Sequence, residues 1–317
     1  MENIIVLDDS FINANKNGFE ITVEDGILKS FKQVIQEKVI IDLKNVSEVA
    51  DGVFAQNNFV TKVNLPNAKK IGNKAFYQAI FLEEVKLESC YEIGKSVFEG
   101  TVSLKTVDAP KLEVLPANSF GFSNVQKLNL PNLKSVDNYS VANARELEIF
   151  NAPNLENIGP KAFSNCVKLQ KITSNNIKKI EQQAFETCMA LFDLNTEKVE
   201  YAHRESFSLS MLVKNDQQKN NEYVSYKNIL LSSKENSQNI NLKNITVIAA
   251  KAFWQDQKVQ KVTSKSVKFV NEQAFYQSSL VKLKLWGVKK IDNKALCETK
   301  LAGLNSFWLK LRFKKSF

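Results

Sequence analysis

The chain has 317 residues, enough for one large domain or two ordinary ones with an ample core. At 44% hydrophobic and 24% charged it lies in the normal globular range, which excludes a disordered or collagen-like polymer. Forty-three Lys and Arg against thirty-four Asp and Glu leave +9, which permits an anionic partner without demanding one; one histidine and four cysteines are a poor kit for metal or cofactor chemistry.

The N-terminus, MENIIVLDDSF, carries acids where a secretory leader needs a basic segment and a long apolar run. No leader is expected, and taken alone this predicts a cytoplasmic chain. No stretch reaches the roughly 18 apolar residues of a membrane helix, so no transmembrane segment is expected either. Residues 1–37 are predicted to form an N-terminal β-hairpin cap. Phe19 to Ser30 alternates apolar and polar residues around Asp25-Gly26, a two-residue hairpin signal.

From residue 38 a repeat dominates. IGNKAF ends at Phe76, IGKSVF at Phe98, LPANSF at Phe120, IGPKAF at Phe163, IEQQAF at Phe185 and VNEQAF at Phe275. Phe54, Val141, Phe207, Phe253 and Leu296 fill the same slot. Successive anchors lie 22 residues apart, or 21 in two cases, except for one step of 46 between Phe207 and Phe253. Within a unit the apolar residues keep fixed offsets, as in Leu82, Val85, Leu87, Cys90, Ile93 and Phe98. The spacing of two between Val85 and Leu87 predicts one short strand per unit, and Pro66, Pro110, Pro131 and Pro153 end that strand. One unit cannot bury its apolar set alone. Stacked units can, so the period predicts a solenoid with each side chain over its counterpart.

The pattern L-x-x-V-x-L-P-x-L-x-x-I-G-x-x-A-F-x-x-C resembles the BspA-type, or treponemal-type, leucine-rich repeat. Leu147 to Cys166 carries it most fully, with Phe150 in the valine slot. The resemblance spans about residues 34–306. It implies a leucine-rich-repeat solenoid of about eleven 22-residue coils with a curved parallel β-sheet on the concave face. It also implies the surface adhesins and binding proteins of host-associated bacteria and parasitic protists, and hence a cell-surface location.

The repeat array is expected over 38–207 and again over 240–306, with an irregular hairpin insertion at 208–239 and a C-terminal capping strand at 307–317. In the gap, the strand slots hold Val213, Asp216 and Gln218, which cannot fill a core. Tyr223 to Ser232 echoes the N-terminal hairpin, Ser225 to Ser232 matching Val23 to Ser30. Two hairpin-plus-repeat modules broken around Lys214 to Glu222 would fit. A protruding loop on one continuous solenoid is the favoured expectation, because the apolar phase returns at Ile240. At the end, Leu309, Leu311 and Phe313 alternate with Lys310, Arg312 and Lys314, as in a strand with one charged face.

Familiar chemistry is missing: no HExxH, paired CxxC, phosphate loop or nucleophile elbow occurs. The chain is expected not to be an enzyme, with no catalytic residue, metal or small-molecule cofactor. His203 follows the apolar slot at Ala202, where Gly72 and Gly94 sit in other units, and reads as a solvent-facing turn residue. Cys166 and Cys188 lie one period apart, so a disulfide is conceivable. Ala79 and Ala144 take the same slot, which favours small buried side chains and free thiols.

Recognition is left to the outward strand positions. The candidate ligand-binding residues on the concave face are Lys62, Asn64, Lys86, Lys127, Asn129, Asn151, Lys171, Asn195, Lys261, Lys282 and Lys284. Lys261, Lys282 and Lys284 would make a small basic patch. The expected partner is a protein or glycan, bound by a monomer or weak oligomer. An intracellular assembly scaffold is the alternative. A nucleic-acid or anionic-lipid binder ranks third, because Lys69-Lys70, Lys178-Lys179 and Lys289-Lys290 lie several coils apart and make no stripe.

Overall fold

The computed structural model describes residues 4–216, 221–235 and 237–301. The expected C-terminal strand at 307–317 lies outside the described residues, as does part of the polar stretch around 214–222. The chain divides into two compact units, Met1–Asn176 with Thr187–Phe192, and Ile177–Glu186 with Asp193–Phe317.

The first unit is a solenoid of parallel strands. The concave sheet runs Ile4–Asp8, Lys38–Asp42, Val60–Asn64, Glu84–Lys86 and Thr106–Asp108, with all neighbours parallel. It is followed by Lys127–Asn129, Ile149–Asn151 and Lys171–Thr173. Along each three-residue strand, from Glu84–Lys86 to Lys171–Thr173, the middle residue is buried and its neighbours point out, as a pleat requires. Two-residue strands such as Glu48–Val49, Lys70–Ile71 and Glu92–Ile93 build a second parallel ladder. The hairpin Phe19–Glu24 and Ile27–Gln33 joins this ladder, Ile27 facing Glu48 and Leu28 facing Val49. Its turn has Asp25 and Gly26 at φ +49° and +77°, the conformation that Asp-Gly supplies. Residues 4–33 therefore add a rung to each ladder; Ile4–Asp8 in the concave sheet was not anticipated.

The predicted aromatic spine is present. Phe54, Phe76, Phe98 and Phe120 are fully buried and stack at 5.3, 5.4 and 5.0 Å between centroids. Phe31, from the hairpin, closes the near end at 5.3 Å from Phe54. The turn carrying each anchor is wound tightly. Residues two before and two after it are left-handed, as Lys74 and Gln78 around Phe76, or Lys161 and Asn165 around Phe163; around Phe207 only Leu209 is. Most are not glycine, so each turn holds an unfavourable backbone region that the rung-to-rung bonds compensate, such as Phe76 N–H to Val97 O at 3.0 Å. Gly72 and Gly94 have ordinary φ but no room: a Cβ on either would lie 2.5 Å from backbone nitrogen of the preceding coil.

The second unit has the same construction with one broken rung. Phe185 stacks on Phe207 at 5.8 Å, and Phe253 on Phe275 at 4.7 Å. A short helix, Met211–Asp216, follows the Phe207 turn, and then a hairpin, Tyr223–Tyr226 with Ile229–Ser233. This hairpin repeats the N-terminal arrangement, Ile229 facing Val247 and Leu230 facing Ile248 in parallel. Tyr226 packs its ring on Phe207 at 5.1 Å, closing the spine as Phe31 does in the first unit. The concave sheet of this unit consists of Asn239–Leu242, Lys261–Ser264 and Lys282–Leu285, parallel throughout.

Candidate functional site

The concave strands set the geometry of the expected face. In the first unit Val63, Val85, Leu128, Phe150 and Ile172 are buried, so Lys62, Asn64, Lys86, Lys127, Asn129, Asn151 and Lys171 project outward, each exposed or half-exposed. Register brings them together. Lys62 faces Glu84, Asn64 faces Lys86, and Asn129 faces Asn151. Side chains one period apart bond directly: Asn64 Nδ2 donates to Asp42 Oδ1 at 2.8 Å, and Asn151 Nδ2 to Asn129 Oδ1 at 2.6 Å. Glu84 receives Lys62 at 3.1 Å and Lys86 at 3.4 Å, and these hydrogen bonds hold its carboxyl below the usual range. At this end a depression of about 240 Å³ is lined by Val6, Ile40, Asp42, Lys62, Asn64 and Glu84, among others. Val6, 52% exposed, and half-buried Ile40 give this depression an apolar part beside its charged and amide groups.

In the second unit Lys261, Lys282 and Lys284 project outward around buried Val262 and Leu283. Asn195 does not join them. It lies on no strand and is half-buried, its Oδ1 accepting from Glu197 N–H at 3.0 Å. The bonds that a strand would need at the neighbouring residue are taken by the hairpin. Leu194 N–H donates to Tyr226 Oη at 2.8 Å, and Lys227 Nζ donates to Leu194 O at 2.9 Å.

His203 is likewise not solvent-facing. It is 6% exposed, its Nδ1 accepts from Glu205 N–H at 3.2 Å, and it bridges to Ala250. Because the next regular coil arrives after the insertion at Ala250, it covers the turn that the 22-residue period leaves open. Burial pushes the imidazole below its ordinary value. The thiols of Cys166 and Cys188 donate to the carbonyls of Val141 and Phe163 at 3.2 and 3.1 Å. Burial raises Cys188 to about 12 and Cys166 well above its ordinary value.

A feature that periodicity could not reveal lies at the broken rung. Arg204 N–H still reaches Ala250 O at 3.0 Å. Among the described residues, no backbone bond then links Phe207 to the Phe253 turn as Phe54 N–H links to Ala75 O in the first unit, although Arg204 Nη1 donates to Lys251 O at 3.4 Å. Two cavities of about 460 and 420 Å³ open there, both lined by Arg204 and Ser232. No group of three His, Cys, Asp or Glu among the described residues could hold a metal ion. No helix among them is long and apolar enough to cross a membrane.

Comparison with known proteins places this geometry. The family model of the BspA type leucine rich repeat region matches in six copies, over residues 28–121, 113–229 and 220–302. No curated protein matches. Among solved structures, a leucine-rich repeat protein from Bacteroides ovatus superposes with a TM-score of 0.55 at 19% identity, over 90% of this chain and 80% of that one. A leucine rich cell surface protein from Faecalibacterium prausnitzii gives 0.44 at 17% identity, over 86% and 76%. At such identities the likeness is one of fold: a parallel, repeat-built leucine-rich solenoid. With the family model spanning most of the sequence, the chain belongs to the BspA-type leucine-rich repeat family.

Proposed function

We propose that the chain is a non-enzymatic binding scaffold that holds a protein or glycan on the outward side chains of its concave strands. The observation that carries this reading is the inter-rung bonding of those side chains, Asn64 to Asp42 and Asn151 to Asn129. Side chains already ordered by their neighbours lose less entropy on binding, so a partner meets a preformed polar surface. Adhesion or host interaction is the use that the family resemblance implies for such a face, and it belongs to the proposal.

The test is capture of partners by the wild-type chain and by two variants, on a glycan array and from extracts. In one, concave Asn129 and Asn151 become Arg; in the other, Gln78 and Gln255, in turns outside the concave strands, become Glu. Loss of capture in the first and retention in the second supports the reading. Equal capture by both, or turnover of a captured compound, overturns it. Labelling of intact cells tests the adhesive role, which protein confined to the cytosol would contradict.

A further inference from the structure

Charge along the chain is not spread evenly. Residues 239–317 carry sixteen Lys and Arg against four acids, a net +12, whereas residues 1–238 carry twenty-seven against thirty. The excess belongs to the concave strands of the second unit as well as to their turns. Lys261 and Lys282 are direct cross-strand partners, and Lys284 stands two residues along from Lys282 on the same face. Adjacent strands lie about 4.8 Å apart and alternate residues about 6.6 Å, so three ammonium groups share a small area.

Like charges placed directly opposite one another destabilise a sheet. Among the lysines of the first unit's concave strands this does not occur: Lys62 faces Glu84, Lys86 faces Asn64 and Asp108, and Lys127 and Lys171 face Ile149, although the acids Asp8 and Asp42 do stand opposite one another. Among the described residues, Lys261, Lys282 and Lys284 have no ion pair. The four acids of residues 239–301 all lie off this sheet. Asp256 accepts from Lys258 and Val259 N–H, Asp292 pairs with Lys290, Glu298 accepts from Tyr276 and Gln277, and Glu272 stands next to the Gln273 turn. From outside that range Glu222 reaches the Asn241 edge of the sheet, its Oε2 accepting from Asn241 N–H at 3.4 Å, while among the described residues the three lysines themselves keep no paired acid.

We infer that this face, Lys261, Lys282 and Lys284 with the flanking Asn239, Asn241 and Thr263, binds a sulfated polysaccharide; the inference rests on the concave-face reading and names its ligand class. Lysine is a mobile point charge, suited to sulfates at irregular positions rather than to bidentate pairing with one planar anion. Asn241 and Thr263 supply amide and hydroxyl groups of the kind that bond sugar hydroxyls, Thr263 Oγ1 lying 3.3 Å from Asn241 Oδ1. Single-stranded nucleic acid would call for a series of aromatic platforms; these three strands carry none, and one exposed ring, Trp286, follows Lys282–Leu285 with its backbone N–H donating to Ser264 O at 3.1 Å. A chain bearing only uronic acids offers one charge per carboxylated ring, too sparse for three adjacent ammonium groups.

The experiment is salt elution and affinity on immobilised heparin, with dextran, single-stranded DNA and anionic vesicles as comparators. The variant Lys261→Glu, Lys282→Glu, Lys284→Glu should lose on the order of a hundredfold in heparin affinity at moderate salt. Two charge-matched controls accompany it: Lys29→Glu, Lys95→Glu, Lys111→Glu in the first unit, and Lys310→Glu, Lys314→Glu, Lys315→Glu at the C-terminus. The inference holds if only the strand variant loses that much and folding, checked by circular dichroism, is intact. Equal loss in either control, tighter binding of DNA or vesicles than of heparin, or no salt-sensitive retention overturns it. A misfolded triple variant is replaced by the three single Lys→Gln changes, each expected to lower affinity about threefold. Failure here with capture still sensitive to Asn129 and Asn151 removes the ligand class and leaves the scaffold reading standing.

Discussion

If the buried rings form one column, adjacent rings must be energetically coupled and rings two rungs apart must not. Phe98 is fully buried, with Phe76 at 5.4 Å and Phe120 at 5.0 Å. Replacing it with Leu keeps most of the apolar volume but removes two ring pairs, a cost of about 1–3 kcal/mol at 0.5–1.5 per pair. Phe76→Leu removes pairs with Phe54 and Phe98 and should cost a similar amount. The double variant loses the shared pair only once, so it should be about 0.5–1.5 kcal/mol more stable than the sum of singles predicts. Phe54→Leu with Phe98→Leu shares no ring contact across a span of about 10 Å, and should be additive within about 0.5 kcal/mol. The assay is urea unfolding followed by far-UV circular dichroism, with m held constant as the check that only stability changed. Equal coupling in both pairs, or none in either, would refute the column.

Other consequences are equally direct. Burial keeps His203 neutral below its ordinary value of 6.5, so as the pH falls through that range the unfolded chain takes up the proton first. Stability should then decline by at most about 1.4 kcal/mol per pH unit, and His203→Gln should flatten that part of the urea-midpoint profile; an unchanged slope contradicts it. Cys90, raised to about 11 by burial, and Cys166 and Cys188 should resist iodoacetamide at pH 8 until the chain unfolds, while half-exposed Cys297 reacts first, as peptide mass mapping would show. Lys294 is exposed at φ +55°, so Lys294→Gly should gain about 0.5 kcal/mol and Lys294→Val lose about 1–2, measured by urea midpoint. Asn271, 2% exposed, accepts from Ala202 N–H at 3.0 Å and donates to Glu200 O at 2.9 Å. Asn271→Ala leaves both backbone groups unsatisfied and should cost about 2–4 kcal/mol; a loss below 0.5 would mean that neither bond is needed.

The regular rungs were readable because each is specified within its own 22 residues. Val85 and Leu87 mark a strand and Phe98 the spine, and the structure keeps both assignments; the close approach at Gly94 is visible only in the packing. The paired left-handed residues of each turn left no such mark. Lys74, Ser96, Asn118, Tyr139, Lys161 and Gln183 occupy that backbone region in successive copies with no common chemistry, because rung-to-rung bonding rather than side-chain preference imposes it. Outward strand residues followed from alternation alone. Asn195 and His203 did not, since each is decided by a partner far along the chain: Tyr226 and Lys227 occupy the bonds beside Asn195, and Ala250 covers His203.

The two hairpins explain why the period fails where it does. Each places its second strand parallel to the short strand of the following coil, Ile27 and Leu28 against Glu48 and Val49, Ile229 and Leu230 against Val247 and Ile248. Each also offers an aromatic ring to the spine, Phe31 to Phe54 and Tyr226 to Phe207. At the N-terminus such a hairpin starts a stack. In the second unit the same device stands beside a coil that already exists, so it competes for that coil's backbone groups. It takes those of Leu194, and the Phe207 N–H is left, among the described residues, without the carbonyl that a successor coil supplies to Phe54 and Phe76. What remains joined does so through Ala202, His203 and Arg204 against Ala250, with Asn271 reaching past to Ala202 and Glu200. The insertion therefore trades a stretch of repeat bonding for two cavities around Arg204, and the polar side chain of Asn271 is the local compensation that keeps the neighbouring backbone satisfied.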